Sequence, residues 1–216
     1  MAFTVADVIA EARALHPQFD DRQTPDGVLL TELDNFQHEL LDAVLEYDPD
    51  AFGATQDTAL PLPTFGDGIA LPARHTDKGA EAQIGGTEQK VEVPIVPWRN
   101  RIRPGTGPSA YIVEDTMYLF GTNEDWTWAD QITFWYIPLP TALTDVTGAV
   151  GLFPDRARQV FAGKAAQIMA ARGPLDPQRP ISLEYFAASL AQRAKSFLGT
   201  YHKRKKAKTA YWRESW

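Results

Sequence analysis

The sequence predicts an α+β fold, with a helical core drawn from the N- and C-terminal helices, a β-rich middle region and an extended C-terminal tail. Three observations carry this. Apolar residues recur at three- and four-residue spacing up to residue 47 and again after residue 154. Short β-rich runs broken by proline and glycine fill the interval, and basic and aromatic residues crowd the C-terminal end. At 216 residues the chain suits one domain with an appendage. The expected division is a domain over 1–199 and a tail over 200–216.

The first helix is expected over 4–15. Thr4 with Asp7 three residues on makes a capping-box start, and Val5, Val8, Ile9, Ala12 and Leu15 form one apolar stripe that Pro17 ends. Thr24-Pro25 supplies an N-cap and a first-turn proline for a second helix over 25–47. Its stripe is Leu29, Leu33, Phe36, Leu40, Val44 and Tyr47, with Pro49 as the stop. A β-rich insert over 59–137 follows, with strands expected at 59–63, 69–71, 91–96, 111–113, 117–120 and 132–137. Asp67-Gly68 reads as a hairpin signal joining the first two, and Glu114-Asp115 as one joining 111–113 to 117–120. Pro94 and Pro97 demote 91–96 to an edge strand. The polar, glycine-containing stretch 74–90 reads as a projecting loop or arm.

Helical spacing then returns. Phe153-Pro154-Asp155 opens a helix over 154–172, with Val160, Phe161, Ala165, Ile168 and Met169 inward and Gly173-Pro174 as the stop. A proline-rich turn leads to a last helix over 181–199, striped by Leu183, Phe186, Leu190, Ala194 and Phe197. Lys, Arg and Ala are good helix formers, so this helix can extend through the basic run beyond it. There is no internal repeat.

Composition excludes whole classes. Hydrophobic residues at 44% and charged residues at 23% rule out wholesale disorder. The absence of cysteine removes disulfides, thiolate nucleophiles and cysteine-ligated zinc. There is no apolar run of membrane-spanning length and no signal-peptide pattern at the N-terminus, so the expectation is a soluble protein made without export.

Charge is split along the chain. From Arg193 onward eight bases face one acid, Glu214, which leaves 13 bases and 27 acids, a net -14, in residues 1–192. Such a body repels polyanions, while the tail seeks an acidic partner or phosphates. The run His202-Lys203-Arg204-Lys205-Lys206-Ala207-Lys208 is either a solvated, frayed terminus or a segment that orders on a partner. The flanking Tyr201, Tyr211, Trp212 and Trp216, together with Arg213, favour the second, because Tyr, Trp and Arg dominate interface energetics.

Chemistry is sparse. His16, His38, His75 and His202 form no metal spacing, and no GxSxG, GxxxxGK[ST] or GxGxxG occurs. The Gly105-Thr106-Gly107 run lies between prolines and precedes no helix. The acid clusters Asp20-Asp21, Asp48/Asp50 and Glu124-Asp125 read as turn chemistry and solvated surface before paired general acids. The strongest local feature is aromatic: Trp98, Trp126, Trp128, Phe134, Trp135 and Tyr136. Trp126/Trp128 and Phe134/Tyr136 alternate by two, which places each pair on one face of a strand and Trp135 on the other. Core packing, a subunit interface and a stacking platform all remain open for this set.

Four stretches succeed one another in a suggestive order. They are Phe3-Thr4-Val5-Ala6-Asp7-Val8-Ile9, then Leu33-Asp34-Asn35-Phe36-Gln37-His38-Glu39-Leu40, then Ile132-Thr133-Phe134-Trp135-Tyr136-Ile137-Pro138-Leu139-Pro140. The fourth is Leu152-Phe153-Pro154-Asp155-Arg156-Ala157, followed by an Ala-rich helix ending at Arg172. In element order and loose motifs over residues 3–200 the chain resembles the tailed-bacteriophage head–tail adaptor (connector or neck) family, with Phe153-Pro154-Asp155 in place of its Leu-Pro-Asp helix start. The stretch 74–90 departs from that pattern.

The resemblance implies a non-enzymatic subunit, without cofactor or metal, of a homo-oligomeric ring that is dodecameric in that family. Such a ring docks on the portal protein, links capsid to tail through further neck or tail proteins, and lets double-stranded DNA pass through its bore without specific binding. An acidic wall suits sliding DNA, since each Lys or Arg on it holds phosphate by counterion release. The place is the virion neck, assembled in the host cytoplasm, with no membrane. In this family the C-terminal segment reaches the portal. Here that segment is Tyr201, Lys203, Arg204, Lys205, Lys206, Lys208, Tyr211, Trp212, Arg213 and Trp216, disordered when free. The alternatives are a nucleic-acid-binding module using the same basic tail and a small hydrolase using clustered acids, for which no nucleophile or metal is placed.

Overall fold

The computed structural model describes residues 3–73, 75–97 and 108–213, apart from the side chains of 65, 123 and 202–213. Met1–Ala51 with Pro140–Trp216 forms one compact unit and Phe52–Leu139 a second. The first is helical and the second carries two antiparallel sheets, so the α+β class holds.

The helical unit contains α1 (Val5–Arg13), α2 (Asp26–Tyr47), α3 (Arg158–Ala171) and α4 (Leu183–Arg213). The capping box at α1 forms as expected: the Asp7 amide donates to Thr4 Oγ1, and the Thr4 amide donates to Asp7 Oδ2. These bonds hold the Asp7 carboxyl below its usual range; the Asp145 carboxyl is lowered likewise by Thr147. The segment around Thr147 pins the start of α1, because Val5 and Ala6 donate to the carbonyls of Gly148 and Val146. α2 begins one residue later than expected, with Pro25 at the N-cap and no side-chain cap; Thr24 is fully buried instead. Asp26 receives Arg13 at 2.6 Å.

α3 is the hub. Val160, Phe161, Ala162, Gly163, Ala165, Ala166, Met169 and Ala170 are all buried, an all-round burial that fits a helix enclosed by α1, α2 and α4. The Phe161 ring meets Phe3, Phe36 and Phe153 at 5.6, 5.3 and 5.4 Å. Ile168, expected inside, is half-buried, and Leu15 and Leu183 are exposed at the ends of their stripes. α4 passes the expected end at residue 199 without a break and runs to Arg213.

The second unit holds β1 (Ala54–Ala59), β2 (Ile69–Ala70), β3 (His75–Ile84), β4 (Lys90–Val93), β5 (Ala110–Val113), β6 (Thr116–Leu119) and β7 (Ala129–Pro138). One sheet runs β1-β7-β3-β4 and the other β2-β6-β5. The β5–β6 hairpin forms around Glu114-Asp115, with Glu114 at φ 53, and β4 is an edge strand as Pro94 required.

Three expectations are corrected. The first strand lies at Ala54–Ala59 and not at 59–63, where Pro61 and Pro63 remove ladder donors. Asp67-Gly68 joins no hairpin: β1 pairs with β7, and β2 with β6. Gly68 is needed for another reason. It has φ 71, and a Cβ there would lie 2.7 Å from Thr116 Cγ2 and 2.9 Å from the Met117 carbonyl oxygen. In the stretch 74–90 expected as an arm, His75–Ile84 is the strand β3, seated between β7 and β4. Its inward residues are Ala80 and Ala82, both buried, whose small side chains sit opposite Phe134 and Ile132 and gave no hydrophobic signal.

Candidate functional site

Two surfaces concentrate polar chemistry, one in each unit. In the helical unit α3 and α4 come close at Gly163, where a Cβ would meet Arg193 Cδ at 3.1 Å and Leu190 Cδ1 at 3.4 Å. Beside this contact the helices leave an open groove of about 460 Å³, lined by Arg156, Gln159, Val160, Ser189, Gln192, Arg193, Ser196, Phe197 and Thr200. The Arg156 guanidinium stands 5.7 Å from the Phe197 ring centre and 5.2 Å from that of Tyr201, a cation–π placement that fixes the charge on the wall. Arg193 Nη1 donates to the Gln159 carbonyl at 3.0 Å.

Four other cations of this unit have a carboxylate partner: Arg13 with Asp26, Arg158 with Glu11, Lys164 with Glu39 and Arg179 with Asp176. Among the described residues no carboxylate pairs with Arg156 or Arg193. Two planar guanidinium forks with spare donors, beside serine hydroxyls and glutamine amides, suit recognition of carboxylate or phosphate. Among the described residues, no histidine, lysine or carboxylate lines the groove to activate its hydroxyls.

In the second unit the inner face of the four-stranded sheet is core, with Ile132, Phe134, Ala80, Ala82 and Val93 buried. The opposite face carries a polar row at its middle, while Ile137 towards its end is fully buried. The register sets Asp57, Thr133, Glu81 and Glu92 in that row across all four strands. Thr133 Oγ1 donates to Asp57 Oδ1 at 2.7 Å, while Glu81 has Lys90 at 3.9 Å. Like charges directly opposite on neighbouring strands are destabilising, so Glu81 against Glu92 is an unfavourable pair that Lys90 only partly offsets. Trp135 lies on this same face, 40% exposed. Its cross-strand neighbour on β3 is Gly79, at a register shift, with nothing within 4 Å of a Cβ position.

The structure separates the sequence-derived site residues. Tyr201 is 2% exposed and packs edge-on to Phe197 at 5.4 Å. It belongs to the helical unit and not to a free tail, a correction that follows from its position four residues after Phe197 on one helix face. Lys203, Arg204, Lys205, Lys206, Lys208, Tyr211, Trp212 and Arg213 lie on the α4 backbone with side chains outside the described residues, as Trp216 and Trp98 are altogether.

Trp126 is core, 1% exposed, and its Nε1 donates to the Phe120 carbonyl at 2.8 Å. Trp128 is half-buried and stacks on it at 5.8 Å. These two do not share a strand face as expected, since Trp126 ends a 3-10 turn at Asn123–Trp126. Phe134 and Tyr136 do stack on one face of β7, at 5.8 Å, with Trp135 on the other.

Sequence reasoning did not single out the groove or the enclosure of His75. The His75 ring contacts Phe134, its Nε2 faces Asp77 Oδ1 at 2.9 Å and its Nδ1 the Pro72 carbonyl. Among the described residues no group of three or more His, Asp or Glu is placed to hold a metal, and no helix is long and apolar enough to cross a membrane. No protein-family model matches the chain, and no curated protein matches it.

Proposed function

We propose that this chain is a structural subunit of a tailed-phage head–tail connector ring, docking on a portal ring and linking capsid to tail around the DNA channel. The observation that carries the reading is the course of α4. It packs into the helical unit through Phe186, Phe197 and Tyr201 and continues to Arg213 as one helix. The basic and aromatic residues 203–216 are thereby attached to a fixed base, which lowers the ordering cost of docking compared with a slack tail. The strongly acidic remainder supports a wall past which DNA slides.

The docking residues are accordingly Lys203, Arg204, Lys205, Lys206, Lys208, Tyr211, Trp212, Arg213 and Trp216, with Tyr201 as the internal anchor. Truncation after Tyr201 tests this. The shortened chain keeps its remaining helical content and no longer co-sediments with a portal ring; continued co-sedimentation would refute the assignment. The second reading, a nucleic-acid-binding module, is favoured by the same basic segment. It expects DNA affinity that falls with salt at a slope of about 0.9 per phosphate contacted and that the truncation abolishes. The connector reading expects little DNA binding by the isolated chain.

A further inference from the structure

The groove and the outer sheet face carry charge of opposite sign, and on the sheet face only Glu81 has a cation nearby, Lys90 at 3.9 Å. Arg156 and Arg193 hold two guanidinium groups without a carboxylate partner among the described residues, and one of them is braced on two aromatic rings. Asp57, Glu81 and Glu92 hold three carboxylates in one cross-strand row, two of them directly opposed, beside an exposed indole. A surface that keeps like charges opposed and a large ring in water is strained toward a partner of the other sign.

We propose that the α3–α4 groove of one copy receives side chains from the outer sheet face of a second copy. The guanidinium groups of Arg156 and Arg193 meet the carboxylates of Glu81 and Glu92, and Trp135 forms the apolar anchor at the edge of the contact. The two patches are different surfaces of one chain, so the contact is heterologous and repeats head to tail, generating a ring if the rotation closes. The inference rests on the connector reading, since both require copies of this chain to associate in that sense; it adds which surfaces meet.

Sedimentation velocity on the full chain tests it. The wild type associates more tightly on going from about 0.15 M to about 0.01 M salt, as the screening length grows from roughly 8 to roughly 30 Å. Glu81→Gln with Glu92→Gln, and separately Arg193→Gln, each weaken association by roughly tenfold or more, about 1.4 kcal/mol. The glutamine pair relieves an unfavourable contact, so its loss of association is not a folding defect; circular dichroism confirms this in the same samples. The two variants mixed in equal amounts stop at a dimer, because one supplies the only intact groove and the other the only intact sheet face.

Three results overturn the inference. A wild type monomeric at low salt and high concentration removes the contact, while portal co-sedimentation still judges the connector reading. Variants that assemble like wild type show that copies meet elsewhere and leave the ring intact. Variants that change only the melting of a monomer show that the charges act within one chain.

Discussion

Gly163 is where the hub helix and the groove depend on one missing side chain. Substituting alanine and leucine there separates local from tertiary effects. Both residues favour the helix over glycine by roughly 0.8–1.0 kcal/mol, so that term cancels between the variants. Alanine places its methyl 3.1 Å from Arg193 Cδ, and the far part of a flexible side chain moves aside at little cost. Leucine must send its branch past that point, toward Leu190, whose Cδ1 and Cα already lie 3.4 and 3.5 Å from the Cβ position. The Cα is α4 backbone and cannot step aside alone.

Overpacking of this kind costs about 1–3 kcal/mol. Gly163→Leu is therefore expected to melt below Gly163→Ala by that amount, a shift of about 2–4 °C per kcal/mol for a chain of this size. Thermal unfolding followed by far-ultraviolet circular dichroism measures the difference. Equal melting of the two variants would refute the close α3–α4 approach, and with it the groove as described.

Other expectations follow from single contacts. Trp126→Phe keeps most of the ring but leaves the Phe120 carbonyl without its indole donor, costing about 1–3 kcal/mol in urea unfolding; a loss below half a kcal/mol would deny that bond a role. Trp135→Ala opens no cavity on an exposed sheet face and should cost about 1 kcal/mol, against about 3–5 for Trp126→Ala, so equal losses would return Trp135 to the core. The lowered Asp7 carboxyl gives a sign for pH. Its folded value lies below the ordinary 3.8, so its contribution is present above that pH and is lost as pH falls through the folded value. Asp7→Asn should flatten that part of the acid unfolding curve, and an unchanged acid limb would contradict the capping-box role.

Where local chemistry decides the backbone, the sequence was readable. Thr4 and Asp7 announced the start of α1 and Glu114-Asp115 the β5–β6 turn, whereas the helix expected to open at Pro154 begins only at Arg158, after a 3-10 turn over Asp155–Ala157. The alternation of Phe134, Trp135 and Tyr136 gave the two faces of β7 correctly. β3 escaped because its inward positions are alanines paired across the ladder with large β7 residues, so hydrophobic contrast vanishes just where the strand is most central. Tyr201 was misread because the basic run beginning two residues later dominated its local composition, although its spacing from Phe197 was a helical one. The groove had no local signal. Arg156 lies forty-five residues before Tyr201, and its seat against Phe197 and Tyr201, with Arg193 lining the same groove, emerges only from the folded arrangement.

The helical unit is interrupted in sequence by the whole of the β unit, and this bears on biosynthesis. A nascent chain releases α1 and α2 first, with Val5, Val8, Ile9, Leu33 and Leu40 destined for a core whose centre, Phe161, is still to be translated. The β unit draws its strands from one continuous stretch and has what it needs to fold while those two helices wait. Until α3 leaves the ribosome, the early helices carry unburied apolar faces prone to aggregation. A chain ending before residue 158 therefore lacks the helix on which its first fifty residues are organised, and should be a substrate for chaperones or proteases, with only its middle portion folded.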